Sequence, residues 1–351
     1  MRFGLEKLEY PIVLSPMLGV VTPEMVAEVS NQGGLGHLPL GGQSVQQAIS
    51  LIRKTKKLTQ QVFAVNLFAN KPVDLDLNRD KISKMKSLIT QIVKEKGWAE
   101  TYQFDYHFYP YQALIEVLIE EQIKVVSFTF GVLDDESIRR LKTHDVYLIG
   151  TATNVQEAEL LESAGVDAII AQGIEAGGHR ASFLGGDLPQ IGVFPLVTFF
   201  GQNVKVPIIA AGGIYHAKTV TKALDCGAKG VQLGSYFIAA EESLATDFYR
   251  RLLKNSKDQT ILTQAFSGRW ARGIKNDFSI MTESMDIPDY PIQNVLTKQL
   301  RTLAKAHQDE NFSSNWGGVN AYHSEKKPVR VLMKELIEIY LSVKKSSENS
   351  D

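Results

Sequence analysis

Eight short apolar runs, each closing on glycine, proline or small polar residues, pattern the chain up to about residue 240. They are PIVLSP (11–16), GLGHLPLGG (34–42), VFAVNLF (62–68), VVSFTFG (125–131), VYLIGTA (146–152), AIIAQG (168–173), PIIAAGG (207–213) and GVQLGSYF (230–237). Continuous runs rich in valine and isoleucine suit parallel strands covered on both faces. Between them lie stretches with helical spacing, such as TPEMVAEVSNQGG, SVQQAISLIRKTKKL, DDESIRRLKTH, NVQEAELLESAGV and HAKTVTKALDCGA. Ser, Thr, Asp or Asn often opens these stretches and glycine often ends them, as helix capping requires. Eight strands alternating with helices predict an α/β fold of the TIM (β/α)8 barrel class. A doubly wound sheet is the alternative, but it usually stops at about six strands.

Two regions break the alternation. Residues 70–112 hold a polar, Lys-rich helix and an aromatic run, WAETYQFDYHFYPY (98–111), and read as an insertion between the third and fourth units. Burial against the barrel is the ordinary fate of such aromatics; a lid or a dimer contact are the alternatives. The barrel is expected over 1–240 and a mostly helical subdomain near its mouth over 241–325, with AFSGRWARGIKNDF and DIPDYPIQN read as loops. Residues 326–351 hold an amphipathic closing helix, VRVLMKELIEIYLSVKK (329–345), and a disordered tail, SSENSD.

The chain has 351 residues, 44% hydrophobic and 22% charged, enough for a full core. A formal net charge of −1 gives no reason to expect nucleic acid or an anionic membrane as partner. The opening MRFGLEKLEYPIVL interrupts its apolar residues with charge and is no signal peptide. No segment approaches the roughly 20 apolar residues that cross a bilayer, so a cytoplasmic location is expected. The single cysteine, Cys226, excludes an internal disulfide and a cysteine-rich metal site, and KALDCGAKG makes it a buried small hydrophobe. No H-x-x-x-H spacing, paired carboxylate, G-x-S-x-G elbow or Walker lysine motif marks these loops, and no metal is expected.

In a barrel the chemistry sits where strands deliver their C-terminal ends into loops. Gly212 and Gly213 end the seventh run, and Gln232, Leu233, Gly234 and Ser235 lie in the eighth. Glycines there let backbone N–H groups approach an oxyanion, so this pair of loops suits a phosphate better than it suits mere tight turns. His179 follows Gly177 and Gly178 at the end of the sixth strand, beside Arg180 and near Glu175. An imidazole near its reference pKa can move a proton at neutral pH, and packing demands little there. Glu175 and Arg180 either contact a substrate or pair with other loops. The amides of Asn66 and Gln172 suit the edge of a flavin or another heteroaromatic ring, with a bond to a neighbouring loop as the alternative. Met17 offers a soft side chain beside a planar ligand. His37, His107, His144, His216, His307 and His323 have no comparable setting; His216, just past the seventh strand, is the nearest rival.

PIVLSPMLGVVTPEMVAEVSNQGGLG, AQGIEAGGHR, PIIAAGGI and GAKGVQLGSYF together resemble the FMN-dependent nitronate monooxygenases, and SGRWARGIKNDF and DIPDYPIQNVLT extend the match over most of the chain. The resemblance implies FMN at the C-terminal mouth, held by Asn66, Gln172, Gly177, Gly212, Gly213, Gln232, Leu233, Gly234 and Ser235. His179 is then the active-site histidine, either a base toward a neutral nitroalkane or a group that binds the anionic nitronate. The implied reaction takes an alkyl nitronate, such as propionate 3-nitronate, and O2 to a carbonyl compound and nitrite, detoxifying nitro compounds. The implied partners are the small-molecule nitronate and O2, with no nucleic acid or membrane and with a homodimer left open. This chain departs from the family pattern at Ala181, at the run Tyr215–Lys218, at Val319 and, conservatively, at Ser235; these changes bear on substrate rather than on flavin. An FMN- and NADH-dependent enoyl-acyl-carrier-protein reductase and a non-catalytic flavin-binding barrel are the alternatives.

Overall fold

The computed structural model describes residues 3–72, 74–99, 104 and 108–348. Its barrel strands are β1 (Ile12–Leu14), β2 (His37–Pro39), β3 (Ala64–Phe68), β4 (Val125–Thr129), β5 (Tyr147–Ala152), β6 (Ala168–Gln172), β7 (Ile208–Ala211) and β8 (Gly230–Leu233). Each of the eight predicted runs contains one of them. All neighbours pair in parallel, in the order β1, β8, β7, β6, β5, β4, β3, β2. A parallel bridge between Val13 and Leu35, with Leu35 N donating to Ile12 O, brings β1 beside the entry to β2 and closes the TIM barrel.

The apolar runs hide an alternation. One parity of each strand packs outward under the helices, as Leu14, Val65, Val126, Leu148 and Ile169 do. The other parity faces the axis, where Val13, Leu35, Ala64, Val125, Ile149 and Ile170 form an inner core over Leu5. Two residues further along the same faces stand Ser15, His37, Asn66, Ser127, Thr151 and Gln172. A strand repeats its facing every second residue, so the barrel's filling turns from apolar to polar toward the C-terminal end. That switch makes a polar-floored bowl.

The helix Arg79–Glu95 and the segments after residue 260 share a second core, in which Met85, Ile89 and Val93 meet Phe266, Phe278, Leu296 and Leu300. Trp98 stacks on His307 with ring centroids 5.4 Å apart, so it packs against the C-terminal helices and not the barrel as expected. Tyr111, at the other end of the aromatic run, donates from its hydroxyl to Asp134 Oδ2 at 2.7 Å. Residues 100–103 and 105–107 of that run, His107 included, lie outside the described residues.

AFSGRWARGIKNDF is not the loop its glycines suggested. Ala271–Ile274 is a strand, paired antiparallel with Thr260–Thr263 on one side and with Gly178–His179 on the other. Four residues are too few to show a period in the sequence. The closing helix spans Val329–Glu348, so the tail read as disordered begins by continuing the helix; residues 349–351 lie outside the described residues. Cys226 is half-buried at the C-cap of the helix Ala217–Asp225, between the exposed Asp225 and Gly227, and not the fully buried residue expected. Among the described residues no helix is long and apolar enough to cross a membrane.

Candidate active site

The bowl opens into a cavity of about 690 Å³. Asn66, Gln172, Gly177, His179, Gly212, Gly213, Gln232, Leu233, Gly234 and Ser235 all line it, from strands and loops distant in the chain. Met17 lines it too. Glu175 and Arg180 do not. Glu175 accepts from Val193 N at 3.0 Å, capping the next helix, and the buried Arg180 guanidinium donates to the carbonyls of Gly173 (2.5 Å) and Gln172 (3.1 Å). Both brace the loop that carries His179. His216 accepts from Thr219 N at 3.2 Å and caps its helix.

The loop ends are laced together by Asn315–Asn320, which sequence reading did not place at the site. Gly318 N donates to Ser235 Oγ at 2.9 Å, Val319 N to Glu175 O at 3.1 Å, and Asn320 Nδ2 to Gly213 O at 2.8 Å. Gly212 and Gly213 carry φ of +117° and +69°, a region side chains with a Cβ avoid, so only glycine turns the chain here without strain. The result is a pocket end built on glycine backbone, which can come close to an anion.

His179 sits on its short strand opposite Ala271. Gln172 holds that strand with both ends of its amide: Nε2 donates to His179 O at 3.0 Å, and Oε1 accepts from Ala181 N at 2.9 Å. The imidazole lies among Phe130, Tyr290 and Trp316, at centroid distances of 5.7, 6.1 and 5.4 Å. None of these three was singled out from the sequence. Tyr290 and Trp316 belong to DIPDYPIQN and NWGGVN, whose aromatic residues amid turn formers were the available signal.

The histidine is not near its reference pKa. Burial, with Arg269 and Arg301 adding like charge, lowers it to about 3. Sequence reading had no access to those arginines, which come from more than 85 residues downstream. The ring is therefore neutral, and its tautomer follows from one neighbour. Ser267 Oγ donates its single hydrogen to Arg269 O at 3.1 Å, so the 2.9 Å bond between His179 Nε2 and Ser267 Oγ is donated by the imidazole. Nδ1 keeps the lone pair.

Two observations bear on what the cavity can hold. Gln232 Oε1 is buried with no hydrogen-bond partner, an acceptor that a ligand N–H would satisfy. Asn66 donates through Nδ2 to Ser127 Oγ (2.7 Å) and Thr129 Oγ1 (3.2 Å), leaving its oxygen over. Unpaired acceptors over a polar floor, beside glycine loops that let backbone come close, fit a flavin. At the mouth the helix Lys298–Ala306 contributes Lys298, Arg301 and Lys305, and no carboxylate stands among the described residues lining the cavity. Such a mouth favours anions.

His37, beneath Asn66, is wholly buried, and burial lowers its pKa to about 3 from an ordinary 6.5. The unfolded chain thus takes up a proton below pH 6.5 that the folded chain refuses, and stability is lost as pH falls toward 3. Between pH 7.5 and 5 this one residue should cost about 2 kcal/mol. Urea melts at both pH values check it: the loss should be smaller by that amount in His37→Gln, and an equal loss would refute it.

A family model described as nitronate monooxygenase matches residues 2–338. A probable nitronate monooxygenase of Staphylococcus aureus strain MRSA252 is 38% identical over 345 residues, covering 94% of either chain. The solved structure of nitroalkane oxidase from Streptomyces ansochromogenes aligns with a TM-score of 0.90 at 32% identity, covering 97% of this chain and 99% of that one. FabK from Thermotoga maritima aligns with a TM-score of 0.75 at 26% identity, over 99% of this chain and 98% of that one.

Proposed function

Because this chain belongs to the nitronate monooxygenase family, we propose that it oxidises alkyl nitronates with FMN and O2 to a carbonyl compound and nitrite. The observation that carries this reading is the convergence of His179, the amides of Asn66, Gln172 and Gln232, and the glycine loops on one cavity. FMN, when bound, would supply a ring that accepts the substrate's electrons and yields them to O2. The backbone around Gly177, Gly212, Gly213, Gly234 and Ser235 would hold its phosphate, with Leu233 beside it. Asn66 and Gln232 would present acceptors to the ring edge, and Gln172 would keep the His179 strand beside it.

The remaining chemistry belongs to side chains. With Nε2–H committed to Ser267, His179 offers a lone pair at Nδ1 and acts as an acceptor. That suits a base which removes the α-proton of a neutral nitroalkane, and it makes donation to a nitronate oxygen the poorer of the two roles. The rings of Phe130, Tyr290 and Trp316 pack around the imidazole and would shield the proton's path from water once the cavity is filled. A nitronate arrives already ionised, and Lys298, Arg301 and Lys305 draw it in.

Propionate 3-nitronate carries a second negative charge, so the same mouth favours it over ethylnitronate. The double variant Lys298→Ala with Lys305→Ala should lower kcat/KM for propionate 3-nitronate about tenfold, and much less for ethylnitronate. Oxygen uptake measured across ionic strengths checks it: salt should narrow the gap between the two enzymes, and equal losses on both substrates would rule out steering by charge.

The reaction class is tested by mixing the yellow protein anaerobically with nitronate, then separately with NADH, and following the flavin spectrum. Bleaching by nitronate without NADH is the expected result. Bleaching by NADH alone would transfer the chain to the enoyl-acyl-carrier-protein reductase reading.

A further inference from the structure

Asn66 and Ser127 are register partners on β3 and β4 and face the barrel axis together. Both Nδ2 hydrogens of Asn66 are taken, by Ser127 Oγ and Thr129 Oγ1. Ser127 Oγ also lies 2.7 Å from Nε2 of His37 on β2. Nδ1 of His37 is buried and has no hydrogen-bond partner among the described residues, and the backbone of Leu14 and Val65 lies beside the ring. The Ser127 side chain is buried, and its hydrogen-bond partners among the described residues are the Asn66 amide, which only donates to it, and His37 Nε2. Its own hydrogen therefore finds an acceptor when the proton of the neutral ring lies on Nδ1. Nε2 is then the acceptor, and the Ser127 hydroxyl donates to it. The serine's one hydrogen is spent on His37, so toward Asn66 its oxygen can only accept.

We infer that His37 and Ser127 are positioning residues: a chain of hydrogen bonds running one way across β2, β4 and β3 fixes the Asn66 amide with its oxygen toward the flavin ring. The inference rests on the reading that the cavity holds FMN. Without the chain, the Asn66 amide could turn over and present N–H groups to the same atom. Neither residue lines the cavity, so any effect on the cofactor passes through Asn66. The histidine serves as a neutral dipole, which explains why a titratable group stands in the barrel core with no charge facing it.

The test is a double-mutant cycle read by FMN binding to apoprotein, followed by flavin fluorescence, and by the visible spectrum of the bound flavin. Ser127→Ala should weaken FMN about tenfold in the wild-type background and less than about twofold in Asn66→Ala. His37→Leu should weaken it about threefold or more and shift the spectrum. His37→Gln, whose amide oxygen can still accept from Ser127, should restore both. Equal losses from Ser127→Ala in the two backgrounds, or no loss in either, would overturn the positioning role while leaving flavin binding in place. A wild-type protein that takes up no FMN would instead defeat the underlying reading, and it is recognised before any variant is made. Should Ser127→Ala fail to fold, the contrast between His37→Leu and His37→Gln decides the matter alone.

Discussion

His179→Asn should leave FMN bound and lower turnover of a neutral nitroalkane by about 10²–10⁴-fold, the usual worth of a positioned base. Asparagine keeps a polar group at the position of Nδ1 but does not reach Ser267, the partner of Nε2. Backbone pairing to Ala271 and the Gln172 amide still hold the strand 178–179, so it should survive. What it lacks is a lone pair basic enough to take a carbon-bound proton. In the ligand-free cavity His179 is a weak base, because burial, Arg269 and Arg301 all oppose its cation. The proton transfer itself changes that balance: it creates a nitronate anion beside the imidazolium, and the new charge offsets the arginines. A base whose conjugate acid is stabilised only by its product suits a reaction that should not begin on water. Preformed nitronate needs no such step, so its oxidation by the variant should fall far less. Rates of O2 uptake with nitroethane and with ethylnitronate, at matched flavin content, separate the two. Equal rates for variant and wild type on nitroethane would remove His179 from the mechanism.

The same residue shows where sequence reasoning reaches and where it stops. The strand that delivers the histidine was legible, because AIIAQG is apolar until its last two positions and a barrel strand can end in polar groups only at a mouth. The meeting of Asn66, Gln172 and Gln232 at that mouth followed from the same rule applied to three strands. The pKa was not legible, since it depends on Arg269 and Arg301 brought in by a sheet and a helix formed much later in the chain. The aromatic box was hidden for the same reason: Phe130 follows β4, while Tyr290 and Trp316 come from loops whose positions only the second core fixes. Gln172 illustrates a different limit. The sequence offers an amide at a strand end, but only coordinates show that both its ends hold the backbone of residues 179 and 181.

Gly177→Ala should yield a folded but nearly colourless protein, with FMN affinity lowered about 100-fold. The reason is crowding and not backbone conformation. A Cβ at residue 177 would lie 2.4 Å from Gly318 N and 2.6 Å from the carbonyl carbon of Gly317. Both atoms are backbone and cannot rotate away, so the strap over the pocket must move as a whole. That strap is tied to Ser235 and Gly213, both proposed to hold the phosphate, and to Glu175 just before Gly177 in the same loop. Displacing it therefore reshapes several phosphate contacts at once, and overpacking of this kind costs roughly 3 kcal/mol, or about two decades in affinity. Gly185→Ala is the control, because a Cβ there meets nothing within 4 Å and the residue lies on an exposed loop. Circular dichroism establishes folding, and FMN titration into apoprotein gives the affinity. If Gly177→Ala binds FMN as tightly as Gly185→Ala, the strap is not part of the phosphate site, and the anion must be held by the loops around Gly213 and Gly234 alone.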